Sequence, residues 1–97
     1  MKKGYWVVAY RSISDPSAVK AYGALAVPVI ETFAGRLLTK FASQVEAREA
    51  GLQQRVIIVE FDSYDIALAA YKSDAYQKAV QALGSGAERD FRIVEGA

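Results

Sequence analysis

Ninety-seven residues suit one domain with one core, and 12 Lys plus Arg against 11 Asp plus Glu leave a net charge of +1. That balance offers no electrostatic case for nucleic acid or an anionic membrane as a partner. The sequence has no Cys and no His, which excludes disulfides, thiol nucleophiles, thiolate metal sites and imidazole acid–base chemistry. Any chemistry falls to carboxylates, Tyr, Lys, Arg or a bound cofactor, and no metal or cofactor is expected.

The first stretch, MKKGYWVVAYRS, places two lysines before a short apolar run. The run contains Tyr and Trp and reaches Arg11 too soon for a signal peptide. It is expected to be the first strand of a cytoplasmic protein, with Tyr5, Val7 and Ala9 on one face and Trp6, Val8 and Tyr10 on the other. No segment approaches the ~20 apolar residues of a membrane span. Next, Ser14 or Asp15 caps a helix with Pro16 in its first turn, and Ala18, Tyr22, Leu25, Val29 and Phe33 recur at helical spacing up to Gly35. Pro28 inside that pattern should kink or split the helix.

RLLTKFA, from Arg36, predicts an edge strand with Leu37, Thr39 and Phe41 on one side. Residues 43–54 are polar and form a long connection, with a short helix from Glu46 as the competing expectation. RVIIVEF (55–61) is a strand whose Ile57, Val59 and Phe61 oppose Val56 and Ile58. Asp62 or Ser63 then starts a helix through Tyr71, and Ser73 restarts one with Tyr76, Val80 and Leu83 on a stripe. GSGAERD is a loop; Gly84-Ser85-Gly86 precedes a strand, so it is a turn and no phosphate cradle. FRIVEG is the last strand.

The order β-α-β-β-α-β is that of an α+β ferredoxin-like domain spanning 1–97, a four-stranded antiparallel sheet with helices on one face. The first and third strands are central, yet each is apolar on both faces. An uncovered apolar sheet face is an association site. A second copy packed sheet against sheet is expected to cover it, giving a homodimer.

KGYWVVAYRSISDP, AGRLL, RVIIVEFDS, Y..SDAYQKA and RIVEGA, in that order over the whole chain, resemble the DUF1330 family of the dimeric α/β-barrel superfamily. The resemblance implies a ferredoxin-like fold and a dimer, but no reaction. Superfamily relatives include cofactor-independent monooxygenases, muconolactone isomerases and stress-responsive barrel proteins, and fold alone does not choose among them. Arg36 and Arg55 match Arg positions of the family pattern. Where members carry a Gly-Gly-Arg turn this chain has Ala34-Gly35-Arg36. Where they carry an Arg at the end of the last helix it has Leu83-Gly84-Ser85, with Arg89 as the nearby substitute.

Several residues could carry chemistry. Arg36 and Arg55 begin two strands expected to pair, and two guanidiniums near a sheet end could hold a carboxylate or enolate; ion pairs with Glu46, Glu49 or Glu60 are the plainer use. Glu60 lies on an otherwise apolar side of its strand, where burial would raise its pKa and make it a catalytic base, unless it pairs with Arg11 or Arg36. Trp6, Tyr10, Tyr22 and Tyr71 could line a cavity for a planar ligand, or serve as core. These features describe a homodimer binding a small carbonyl or anionic metabolite in each subunit, as a cofactor-independent monooxygenase or isomerase; the alternative is a non-catalytic binding or stress-related dimer.

Overall fold

The computed structural model describes residues 1–97. Strand β1 (Gly4–Ile13) turns Trp6, Val8 and Tyr10 inward and leaves Tyr5, Val7 and Ala9 half-exposed on its other side. Asp15 caps α1 (Pro16–Thr32), its carboxylate accepting from the amides of Ser17 and Ala18 at 3.1 and 3.3 Å. Strand β2 (Arg36–Leu37) and a long loop lead to β3 (Val56–Phe61). Helices α2 (Tyr64–Lys72) and α3 (Asp74–Leu83) precede β4 (Ala87–Glu95).

The sheet order is β2-β3-β1-β4, antiparallel at every pairing. The expected α+β ferredoxin-like fold is therefore present, with β1 and β3 central. All three helices pack on the face that carries Trp6, Val8, Tyr10, Ile57, Val59 and Phe61. Trp6 is the hub: its ring centroid is 4.9 Å from that of Tyr76, 5.0 Å from Phe61 and 5.3 Å from Phe91. Its indole N–H donates to the Ala67 carbonyl at 2.9 Å, which satisfies the one polar atom of this buried ring and ties β1 to α2. Ser73 separates α2 from α3, accepting from the Tyr76 amide and donating to the Ala70 carbonyl.

Four expectations change. Helix α1 runs through Pro28 without splitting, because the carbonyl that Pro28 leaves without its helical partner belongs to Ala24, and both residues are exposed to water. Its buried stripe is Val19, Tyr22, Gly23, Ala26, Val29 and Ile30, rotated from the expected one, and Leu25 is exposed. Strand β2 has two residues instead of the expected run to residue 42. Beyond it the Thr39 hydroxyl takes over the pairing, donating to the Val56 carbonyl at 2.8 Å and accepting from the Ile58 amide at 3.0 Å. Residues 43–54 form the expected long connection, with no helix from Glu46.

The fourth change matters most for function. Strand β4 begins at Ala87, inside the stretch expected to be a loop, because β1 extends to Ile13 and needs a partner there. A register shift between Tyr10 and Ser12 accommodates the extra length, and Arg89 pairs with Tyr10.

On the face without helices stand Tyr5, Val7, Ala9, Val56 and Ile58, none of them fully buried. Residues 45–52 of the long loop lie beside Ala9, Val56 and Asp90 at one end of that face. No helix is long and apolar enough to cross a membrane.

Candidate functional site

Between α1, the segment 37–41 and the inner face of the sheet lies a cavity of about 60 Å³. Its walls follow from the local structure. Strand alternation points Trp6, Val8 and Tyr10 into it from β1, and Ile57 and Val59 from β3. Helical spacing brings Tyr22, Gly23, Ala26 and Ile30 down from α1. Phe41 lies over Gly23, where a Cβ would meet its ring at 3.5 Å, an ordinary van der Waals contact.

Arg89 enters from β4, on the same face as Phe91 and Ile93. Its guanidinium carbon is 4.5 Å from the Tyr22 ring centroid, 5.4 Å from that of Phe91 and 5.7 Å from that of Tyr10. Aromatic faces attract a cation by roughly 0.5–2 kcal/mol each, so this box offsets part of the lost hydration. It does not replace a hydrogen-bond acceptor: Nη1 is shielded from solvent and has no partner. The cavity lining contains no Asp or Glu, and its second cationic residue is Lys40.

The Tyr22 and Tyr76 hydroxyl oxygens are 2.6 Å apart. Tyr76 is fully buried and its phenol is pushed well above the ordinary tyrosine range, chiefly by burial and then by Tyr22, so it stays protonated. Burial also raises Tyr10, against the opposing pull of the Arg89 charge.

Of the residues expected to form a ligand site, the structure brings Trp6, Tyr10 and Tyr22 to this cavity. Tyr71 packs on Trp6, Tyr76 and Phe91 and does not line it. Arg55 lies just outside, its guanidinium carbon 5.2 Å from the Phe41 centroid and 5.7 Å from that of Tyr10. Arg36 and Arg55 do not form a pair. Antiparallel strands start at opposite ends, and Arg36 faces Glu60, five positions along from Arg55, or about 17 Å at the rise of a strand.

Arg36 instead organises the helix-free face. Its Nε donates to Glu60 Oε1 at 3.0 Å and its Nη2 to Asp62 Oδ1 at 3.1 Å, while the Tyr5 hydroxyl donates to Glu60 Oε2 at 3.0 Å. The Glu60 pKa is therefore lowered, by Arg36 first and Tyr5 second, where burial was expected to raise it. Glu60 and the cavity lie on opposite faces of the sheet.

Lys40 and Phe41 were not among the expected ligand residues, and Arg89 entered only as a substitute for the family's helix arginine. The signal for Arg89 was its position two residues before Phe91, which a strand places on the same face. It was obscured by the Gly/Ser-rich stretch ahead of it.

Among solved structures, a Rhodopseudomonas palustris protein of unknown function is similar over 99% of this chain and 83% of that one, at 20% identity and a TM-score of 0.71. SnoaB, a cofactor-independent oxygenase from Streptomyces nogalater, is similar over 100% of this chain and 95% of its own, at 10% identity and a TM-score of 0.60. An EthD family protein from Bacillus halodurans covers 100% of both chains at 11% identity and a TM-score of 0.58. These are likenesses of fold. No curated protein matches the sequence. The model of the family described as Domain of unknown function (DUF1330) matches residues 3–97, and with the ferredoxin-like sheet and helices in place the chain belongs to the DUF1330 family.

Proposed function

We propose that this protein binds a small carbonyl or anionic metabolite in the Arg89 cavity, one molecule per subunit of a homodimer formed through the helix-free face of the sheet. One observation carries the binding reading: a guanidinium sits in an aromatic-walled cavity with a shielded N–H group that no protein acceptor meets. Donors and charges inside folded proteins are nearly always matched, and Arg89, which lines the cavity, meets neither an acceptor for Nη1 nor a counter-ion within the chain, which supports a ligand as its partner. The volume of about 60 Å³ takes roughly four to six water-sized groups, which limits the ligand to a small molecule or the head of a larger one.

The dimer reading rests on the apolar central strands of that face, with Val7, Ala9, Val56 and Ile58 only half-buried in the single chain. A catalytic version of the site is the second reading, favoured by the fold likeness to the cofactor-independent oxygenase SnoaB. In it, Arg89 stabilises negative charge that develops on a substrate oxygen and Tyr10 or Tyr22 donates a hydrogen bond. The lining holds no carboxylate or imidazole, so the cavity supplies stabilisation and no strong base. Glu60, held as an anion by Arg36 and Tyr5, then has its role at the dimer face.

The test is a ligand-observed NMR screen of small ketones, aldehydes and acids, followed by Trp6 fluorescence, since Trp6 is the only tryptophan and lines the cavity. Saturable binders that perturb Trp6 are expected. A screen in which none does so would refute the binding reading.

A further inference from the structure

We infer that the ligand of this cavity is a small monoanion, a carboxylate or an equivalent oxyanion, held by Arg89 together with the hydroxyl of Tyr22, whose proton is directed into the cavity by Tyr76. This rests on the cavity being a binding site and decides between the two ligand classes proposed for it.

Charge comes first. A cation shielded from water is ordinarily matched by a carboxylate. The six ion pairs of this protein engage Lys3, Arg11, Arg36, Arg48 and Arg92; Arg89 is in none of them. Its neighbours are Tyr10, Tyr22, Tyr76 and Phe91, none of which carries a charge to match it, and the other charged residue of the cavity wall, Lys40, has the same sign. Arg55, outside the cavity and also 5.7 Å from the Tyr10 centroid, is a cation without an ion pair as well. A neutral carbonyl would give the guanidinium an acceptor but leave the charge unmatched. An anion does both, and a guanidinium binds a carboxylate more strongly than a neutral oxygen.

The tyrosine pair supplies a second donor. Two hydroxyls 2.6 Å apart share one proton between them, so one donates and the other must send its own proton elsewhere. The Tyr76 hydroxyl meets no acceptor other than Tyr22, since the nearby Arg89 guanidinium can only donate, and Tyr76 is fully buried against α1, Trp6 and Phe91. If Tyr22 donated, the Tyr76 proton would be stranded there, at about 1–3 kcal/mol. Tyr76 therefore donates to Tyr22, and the Tyr22 proton points away from it. Tyr22 lines the cavity and its ring lies under Arg89, so the two residues share one wall, with the freed hydroxyl proton and the guanidinium as the inferred pair of donors. Tyr76 acts through Tyr22 and is a positioning residue.

Isobutyrate and isobutyramide, nearly equal in shape and differing in charge, test this at pH 7 by ligand-observed NMR with Trp6 fluorescence alongside. Isobutyrate is expected to bind the unaltered protein at least tenfold more tightly than the amide. Arg89→Met should abolish that preference, Tyr22→Phe should weaken isobutyrate severalfold, and Tyr76→Phe should weaken it less. Equal binding of the two probes overturns the anion assignment while leaving the cavity a ligand site. Binding of neither, with no response from Trp6, overturns both readings. Isobutyrate affinity unchanged in Arg89→Met overturns the role of Arg89, and the comparison of the two probes on the unaltered protein decides the charge question should that variant not fold.

Discussion

Arg36 and Glu60 stand opposite each other across the β2–β3 pair, and the guanidinium Nε meets the carboxylate at 3.0 Å. The same guanidinium holds Asp62, which Lys3 also approaches at 3.4 Å. Both carboxyls are lowered from their ordinary values of 4.5 and 3.8, in each case by Arg36 first. A carboxylate with a depressed pKa in the folded state contributes stability that is fully present above the unfolded value and lost as pH falls through the folded one. Urea midpoints should therefore be flat from pH 7 to about 5 and fall below about pH 4.5. Glu60→Gln should lower the midpoint at pH 7 and make the acid fall shallower; parallel curves for the two proteins would refute the linkage.

Thr39 carries the edge pairing past Leu37 with its side chain. Thr39→Val keeps the shape and removes the hydroxyl, leaving the Ile58 amide and the Val56 carbonyl without their partner. A loss of roughly 1–3 kcal/mol in unfolding free energy is expected, together with faster hydrogen exchange at Ile58. Thr39→Ser should recover most of the stability.

Ala34 follows α1 with φ of 57°, in the left-handed region where a Cβ is unfavourable. Ala34→Gly should stabilise the protein by roughly 0.5–1 kcal/mol, the strain relieved exceeding the added chain entropy of glycine. Thermal unfolding reads this directly, and a lower midpoint would refute it.

The proposed dimer has a direct check in light scattering. The unaltered protein should show a mass near twice 10.6 kDa, and Ile58→Lys, which puts a charge in the middle of the helix-free face, should return it to the single-chain mass with its circular dichroism unchanged. A single-chain mass for the unaltered protein would refute the assembly.

The architecture was legible because β1 and β3 alternate cleanly and Asp15, Ser63 and Ser73 each cap a helix where a cap belongs. The ends of the edge strands were not. Strand β2 stops where a threonine hydroxyl substitutes for backbone, a tertiary event that periodicity does not encode. Strand β4 starts early because its partner β1 is long, so its limit was written in a distant segment. The site suffered accordingly: Trp6, Tyr10 and Tyr22 were within reach as inward aromatics, while Arg89 stood in an expected loop. Glu60 was placed on its correct face, but its basicity depended on Arg36, twenty-four positions away in sequence.

The chain from residue 38 to 55 touches both sides of the sheet. Phe41 closes over Gly23 at the cavity, and residues 45–52 rest beside Ala9 and Val56 on the opposite face. A single backbone segment thus borders both the cavity proposed to hold a ligand and the face proposed to associate. Any shift of this segment that favours one process is felt by the other, and equilibrium linkage makes the influence mutual: if assembly orders the loop in the form that closes over the cavity, ligand must by the same factor favour assembly. Under the proposed dimer and ligand site, the two faces of this small sheet would then act as one cooperative unit, with affinity depending on protein concentration.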